Sequence, residues 1–552
     1  MLLSLALFNC KEETFQVIVP QIIPKPMSQE LIQGQFELDS DVGLLYTEDF
    51  QVSAGFLKSF IESDSSILLK SKKSIRNISF IKDSNVEQEG YYMQVTPYDI
   101  LIRASTDNGA FYAVQTLRQL LPVGFENGTF QGSKVAIQCL TIQDSPRFSY
   151  RGMHLDVCRH MFSVDFIKKY IDALAMLKMN TFHWHLTDDQ GWRIEIKQYP
   201  KLQEIAAYRN GTIVGHHPGT ENDNQKHGGF YSQEEIKEVV DYATKRHVTV
   251  IPEIEMPGHA SAAIAAYPYL SCFPQKPTEI PNGMASNTSQ IQQENGRVKL
   301  VQETWGVFDD IFCAGKDSTF VFLENVLDEV AELFPSNYIH IGGDEAPKKH
   351  WEQCPSCQQR MKDLGLKDEH ELQSYFITRI EKYLNSKGKE IIGWDEILEG
   401  GLAPNATVMS WRGEDGAVAA AKQYHKVILT PNNYCYFDHY QSEDTENEPL
   451  AIGGYTPLVE VYGYNPIPKE LNEEETDYVL GAQGNVWTEY ILTPEYVEYM
   501  VFPRILAMSE VDWTSLENKD YQDFEKRTKA FFMRLDALGI NYANHLQKTS
   551  QD

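Results

Sequence analysis

Cysteine is scarce in this chain: eight in 552 residues, too few for the disulfide framework that stabilises small secreted modules. Positive charge is scarce as well. Lys and Arg total 49 against 78 Asp and Glu, a formal net charge of −29, and a field of that sign repels phosphate backbones and anionic lipid. No nucleic-acid partner is expected. Long apolar runs are missing: Met1 to Phe8 is too short to span a bilayer, and no other stretch reads as a transmembrane span. What is present is ordinary for a soluble globular chain, with 42% hydrophobic and 23% charged residues and a mean hydropathy of −0.39. At roughly 150 residues per domain the length points to three or four domains, or to one large α/β barrel with an appendage. Aromatics reach 12%, with 8 Trp and 29 Tyr, and sugars are often bound by stacking on aromatic faces.

Residues 1–16 read as the remnant of a secretory or lipoprotein leader with Cys10 as an attachment site, although the positively charged start of such a leader is missing. The expected localisation is accordingly exported, whether periplasmic, lipid-anchored or secreted. Cys354-Pro-Ser-Cys357 is readable as half a zinc site, a redox motif or a local disulfide. No second CxxC exists, which weakens zinc, so a structural disulfide is the expectation for an exported chain and free thiols otherwise. Cys272 and Cys313 flank a long polar loop and could close it.

Residues 17–146 read as a small α+β domain. Tyr91–Val95 and Ile100–Arg103 around a Pro97-Tyr98-Asp99 turn form a hairpin, and Ala110, Val114, Leu117 and Leu121 recur at helical spacing behind Thr106-Asp107-Asn108-Gly109. From 147 to 515 short apolar strands alternate with amphipathic helices. The strands are Gly152–Val157, Thr181–Leu186, Thr249–Ile254, Tyr338–Ile341, Glu390–Trp394, Thr407–Trp411, Lys426–Thr430 and Val479–Gln483. Helices are expected at Phe166–Leu177 after Ser163 and at Gln233–Arg246. This repeat predicts an α/β fold, a (β/α)8 TIM barrel preceded by the small domain. Residues 260–318 form a long polar insertion and 440–477 shows no persuasive helix, lengths that belong to lids or binding loops. Residues 516–552 carry a terminal amphipathic helix at Phe524–Leu538.

In such a barrel the chemistry lies at the C-terminal strand ends. Those ends read Arg159-His160, His185 through Asp188-Asp189, Glu253 through His259, Asp344-Glu345, Trp394-Asp395-Glu396, Trp411-Arg412, Tyr436 through Asp438 and Trp487-Thr488-Glu489. Carboxylates that accept from hydroxyls, interleaved with indoles that pack on CH faces, suit a carbohydrate. In His340-Ile341-Gly342-Gly343-Asp344-Glu345 two carboxylates leave one strand end. Glycosidases of the usual kind hold acid and nucleophile about 5–5.5 Å apart across the sugar, or about 6.5–9.5 Å apart when inverting, and adjacent residues do not clamp a ring in that way. The reading that fits is Glu345 as proton donor and Asp344 as a group steadying the substrate, with the substrate supplying its own nucleophile. A general acid needs a raised proton affinity, which Glu345 beside Asp344 in a water-poor pocket is expected to have.

At these residues the chain resembles family 20 glycoside hydrolases, the β-N-acetylhexosaminidases. The resemblance rests on Tyr150-Arg151-Gly152, His183 through Asp189, Pro252 through His259, Gly342-Gly343-Asp344-Glu345, Gly393-Trp394-Asp395-Glu396, Ser410-Trp411, Tyr436-Phe437-Asp438 and Trp487-Thr488-Glu489, and runs from about residue 20 to 515. It implies an exo-acting, retaining enzyme that removes terminal GlcNAc or GalNAc from oligosaccharides or glycoconjugates through an oxazolinium intermediate, with no metal and no cofactor. It implies further that Glu345 is the acid/base and that Asp344 orients the 2-acetamido group. Tyr436 donates to the acetamido oxygen, and His259 and Asp188 relay to Glu345. Trp394, Trp411 and Trp487 wall the sugar, while Arg151, Asp438 and Glu489 hold ring hydroxyls. Glu255 stands where many members have Asp, which puts its contact with Asp344 in question.

Two other readings are kept open. His183-x-His185 shares one strand face, a metal-ligand pattern, so a metal-dependent amidohydrolase is the rival enzyme. It would need imidazoles on later strands, where Trp394 and Trp411 stand instead. A catalytically inactive sugar-binding relative is the rival from outside enzymes, and the intact Asp344-Glu345 pair argues against it.

Overall fold

Strand and helix boundaries follow the hydrophobic periodicity closely. A computed structural model of the chain describes residues 19–548 apart from Asp64 and Asn282, so the leader reading of residues 1–16 lies outside the described residues. The chain divides into two units, with the main boundary at Asp144/Ser145.

The first unit is a six-stranded mixed sheet built from β1 (Ser28–Asp39), β2 (Val42–Leu45), β3 (Arg76–Lys82), β4 (Tyr91–Val95), β5 (Asp99–Ala104) and β6 (Lys134–Asp144), in the order β1-β6-β4-β5-β3-β2. β4 and β5 pair antiparallel, as the turn between them requires. Helix α1 (Gln51–Glu62) packs beside α2 (Asp107–Leu120), which lies on β4 and β5. The Thr106 side chain accepts the Gly109 N–H and so starts α2, and Ala110, Phe111, Val114 and Leu117 are buried.

In the second unit eight parallel strands close into a barrel: β7 (Tyr150–Asp156), β8 (Thr181–His185), β9 (Thr249–Glu253), β10 (Tyr338–His340), β11 (Glu390–Trp394), β12 (Thr407–Ser410), β13 (Val427–Leu429) and β14 (Val479–Gly484). Buried on both faces, these strands have near-continuous apolar runs, with Ile251, Ile392, Met409 and Ile428 meeting inside. Helix α3 (Val164–Met176) begins at a Ser163 cap and α4 (Gln233–Thr244) at a reciprocal Ser232/Glu235 capping box. The 260–318 insertion holds two helices that periodicity missed, α5 (Ser261–Ala266) and α6 (Asn287–Glu294). The first is an alanine-rich run buried at every position, so it has no polar face to alternate with. The 440–477 segment likewise contains a short helix, Leu458–Gly463. The terminal helix Tyr521–Ala537 belongs to the same unit, and Phe524 stacks on Tyr462 at 4.4 Å.

The disulfide expected within Cys354-Pro-Ser-Cys357 is not formed. Every described cysteine is a buried free thiol, Cys354 and Cys357 included. Cys354 precedes a helix, Pro355–Leu364, that carries Cys357 in its first turn. Among the described residues no helix is long and apolar enough to cross a membrane.

Candidate active site

A cavity of about 340 Å³ opens at the C-terminal mouth of the barrel. Its acidic wall is made where β10 ends. Gly342 and Gly343 both take positive φ, 66° and 95°. A Cβ on Gly342 would lie 1.7 Å from the Glu255 carboxylate and one on Gly343 would lie 2.6 Å from the Ile397 side chain. Only glycine allows the chain to turn that tightly and still deliver Asp344 and Glu345 into the cavity. Glu345 itself is held at φ 42° and His259 at φ 49°, a left-handed backbone that non-glycine residues seldom adopt.

His259 ties these groups together. Its Nε2 lies 3.5 Å from Asp344 Oδ2 and 3.6 Å from Glu345 Oε2, while Nδ1 lies 3.2 Å from Asp188 Oδ1 and 3.0 Å from Asp189 Oδ2. Burial opposes a charged imidazole, but Asp188, Asp189 and Asp344 outweigh it, and His259 stays protonated well above its ordinary range. Asp188 is fixed in turn by Arg159 at 2.8 Å. Asp188, His259 and Glu345 thus stand in a single line of contacts.

The two adjacent carboxyls titrate apart. Burial, assisted by the charge of Glu345, pushes Asp344 up to about 6, although His259 pulls the other way. Glu345 shifts in the opposite direction: the imidazole beside it lowers its proton affinity below the ordinary range. This corrects the expectation of a raised Glu345, which counted the neighbouring carboxylate and not the cation that outweighs it. Glu255 reaches under Gly342 and lies 3.2 Å from His185 Nε2. Burial, then the charges of Asp344 and Glu253, raise it well above the carboxylate range. The charge of Asp344 thus acts on Glu255, whose own contact is with His185.

Aromatic walls face the acids. Trp394 and Trp487 lie 5.8 Å apart between ring centres, and Trp411 stacks on Tyr436 at 6.1 Å with 24° between planes. Trp394 is anchored by its Nε1–H, which donates to Glu253 at 2.8 Å, and Trp411 by its own to Glu396 at 3.1 Å. Tyr436 and Asp438 flank Phe437, whose N–H donates to Asn485 O at 2.7 Å and so holds both side chains beside the end of β14. Both carboxylate oxygens of Asp438 are buried without a hydrogen-bond partner, as is Asp344 Oδ1. Buried acceptors on a cavity wall are costly unless a ligand donor meets them. Glu489 completes this end, 3.7 Å from Arg159 Nη1, and burial raises its carboxyl.

One expected site residue is elsewhere. Arg151 sits near the start of β7, at the opposite end of the strand from the mouth. It is fully buried, donates to the carbonyls of Lys178 and Phe148 at 2.9 and 2.8 Å, and lies over Trp513. The arginine that lines the cavity is Arg159, just past the strand, with its guanidinium 5.2 Å from the Trp487 ring. It was visible in the sequence among the strand-end residues, without a role. Asn432, His439 and the Ile452–Gly454 loop also line the cavity; the length of the 440–477 segment signalled the loop, and no sequence signal pointed to Asn432 or His439. His183 and His185 lie beneath the cavity, not in it. His183 Nε2 is 3.0 Å from Glu253, and His185 lies between Asp156 at 2.9 Å and Glu255 at 3.2 Å, and neither is among the residues that line the cavity.

Unpartnered carboxylate oxygens set among indole faces at a barrel mouth define a carbohydrate-active enzyme. Comparison with known proteins narrows this. The model described as "Glycosyl hydrolase family 20, catalytic domain" matches residues 148–516 and "Glycosyl hydrolase family 20, domain 2" matches residues 19–145, and the chain belongs to that family. A beta-hexosaminidase of Porphyromonas gingivalis is 47% identical over 98% of this chain and 67% of its own length. Among solved structures, an exo beta-N-acetylglucosaminidase from Vibrio harveyi in complex with N-acetylglucosamine aligns with a TM-score of 0.82 and 34% identity, over 95% of this chain and 78% of that one. A beta-N-acetylhexosaminidase from Bacteroides fragilis aligns at 0.78 and 35%, over 96% and 98%.

Proposed function

We infer that this glycoside hydrolase is an exo-acting, retaining β-N-acetylhexosaminidase that removes terminal GlcNAc or GalNAc by substrate-assisted catalysis. The observation that carries the reading is Asp344: a buried carboxyl with one unpartnered oxygen, adjacent in sequence to the proton donor and enclosed by Trp394, Trp411, Tyr436 and Trp487. A carboxyl so placed cannot reach across the sugar from Glu345 as an enzymic nucleophile would. It can accept the N–H of a 2-acetamido group folded beneath the ring.

In this reading Tyr436 donates to the acetamido oxygen. That oxygen attacks C1 as the C1–O bond breaks, and Glu345 passes its proton to the departing oxygen. Asp344 stabilises the positive charge on the resulting oxazolinium ring. Water then adds to C1, Glu345 takes a proton from it, the ring reopens to the amide, and the sugar leaves with its configuration retained. Holding the nucleophile inside the substrate supplies effective molarity that free water lacks. The cationic His259 keeps Glu345 acidic in the open cavity, and a bound sugar raises its proton affinity by covering a side chain that is 38% exposed. Asp438, Glu489 and Arg159, which share the cavity lining, take the ring hydroxyls of the terminal residue.

The test pairs an aryl β-N-acetylglucosaminide with the matching β-glucoside. Turnover of the first alone, inhibited by a thiazoline analogue of the oxazolinium ion, supports the reading. Comparable turnover of the plain glucoside, or a covalent glycosyl ester trapped on a carboxylate, overturns it.

A further inference from the structure

Four of the described cysteines converge on one point away from the cavity lining. Cys272 and Cys313 lie side by side because Ser271 and Phe312 form an antiparallel bridge, and Cys354 and Cys357 come from the start of the Pro355–Leu364 helix. Sulfur separations are 3.7 Å for Cys272–Cys357, Cys313–Cys354 and Cys313–Cys357, and all four Sγ atoms lie within 4.8 Å of one another. A tetrahedral zinc with Zn–S bonds of about 2.3 Å places its ligands about 3.8 Å apart, whereas a disulfide needs about 2.05 Å. From this geometry we propose that Cys272, Cys313, Cys354 and Cys357 form a closed four-thiolate site for a single structural zinc ion.

The surroundings fit the charge. Four thiolates around one divalent ion leave two negative charges, and Lys316 is held against the ligand-bearing backbone, donating to the Ser271 carbonyl at 2.6 Å. The segments of chain are pressed together tightly enough to need a glycine, since a Cβ on Gly315 would lie 2.4 Å from the Cys357 nitrogen. All four cysteines are buried, leaving no open coordination position for chemistry, so the site is structural. The half site read from Cys354-Pro-Ser-Cys357 lacked a second CxxC because its other ligands are single cysteines far apart in sequence.

The ion would fasten two loops that carry the chemistry. Phe312, next to Cys313, donates its N–H to Pro257 O at 3.0 Å, close to His259. Trp351, on the stretch between Glu345 and Cys354, donates its Nε1–H to Phe312 O at 2.9 Å. Zinc thus locks the segment bearing His259 to the segment bearing Asp344 and Glu345, and the sulfur ligands are positioning residues.

The experiment measures metal in the full-length chain purified without reductant or chelator, by elemental analysis and by intact mass after denaturation. One zinc per chain is expected, with no disulfide among Cys272, Cys313, Cys354 and Cys357. Cys313→Ser should lose the metal. Should that variant fail to fold, zinc-depleted wild-type protein refilled with cobalt gives the independent readout: intense ligand-field bands and a thiolate-to-cobalt charge-transfer band. Stripping the zinc should lower Tm and reduce kcat, both recovered on adding zinc back. A chain with two disulfides, a chain filled with iron, or thiols that take up neither zinc nor cobalt would each overturn the proposal.

Discussion

His259 stands within 3.5 Å of Asp344, its Nε2 facing Oδ2, and its charge lowers the proton affinity of both Asp344 and Glu345. Catalysis needs Asp344 ionised and Glu345 protonated, the reverse of the order in which they titrate in the free enzyme. kcat/KM should therefore peak below about 6, and its alkaline limb, where it falls as pH rises through about 6, reports Asp344. Replacing His259 with Gln removes the cation that holds Asp344 down, and the limb should move to higher pH. A pH profile with an aryl N-acetylglucosaminide checks this, and an unmoved or lowered limb contradicts it.

The same burial makes Asp344 a liability for folding. Its native proton affinity is raised, so ionisation costs stability at neutral pH, and the cost vanishes once the pH is below the unfolded carboxylate range. Lifting that carboxyl to about 6 corresponds to about 3 kcal/mol against the folded state above that pH. Asp344→Asn should then raise Tm at pH above 7 while losing most activity, and the gain should disappear in acid. Calorimetry across pH decides it, and a variant no more stable than the parent at neutral pH refutes the sign.

Glu345 can be tested by the leaving group. Protonating the departing oxygen is worth about 10²–10⁴-fold, and only where that oxygen is basic. Glu345→Gln should lose activity by that order on an oligosaccharide or a poor aryl leaving group. It should lose far less on a glycoside of a strongly acidic phenol, which departs unaided. Equal losses on both would assign Glu345 another role.

How much of this was legible in the sequence divides by locality. The barrel strands were readable because parallel strands buried on both faces appear as apolar runs, and α3 and α4 because Ser163 and Ser232 cap them. Asp344, Trp394, Asp438 and Glu489 were readable as strand-end residues. The helix Ser261–Ala266 was not, since burial at every position leaves no periodicity. The direction of the Glu345 shift was not either. It depends on where the φ 49° turn at His259 aims an imidazole, which no local pattern encodes. The four cysteines were hidden because three separate segments of chain supply them.

Arg151 and Arg159 give the sharpest contrast, because the strand between them runs the full height of the barrel and separates two kinds of function. Arg159 lines the cavity and pairs with Asp188 at 2.8 Å and Asp156 at 3.2 Å. A lysine there keeps the charge but cannot span both carboxylates while facing a sugar hydroxyl. Arg159→Lys should lower kcat/KM by roughly 10- to 100-fold, the worth of a charge-assisted hydrogen bond. Arg151 instead satisfies the Lys178 and Phe148 carbonyls beneath the barrel. Arg151→Lys leaves buried acceptors unmet and should lower Tm, with a cost of about 1–3 kcal/mol, while kcat and KM of the folded enzyme stay at parent values. Steady-state kinetics beside thermal unfolding separates the two. A large rise in KM for Arg151→Lys, with Arg159→Lys unaffected, would return the sugar-binding role to the start of the strand.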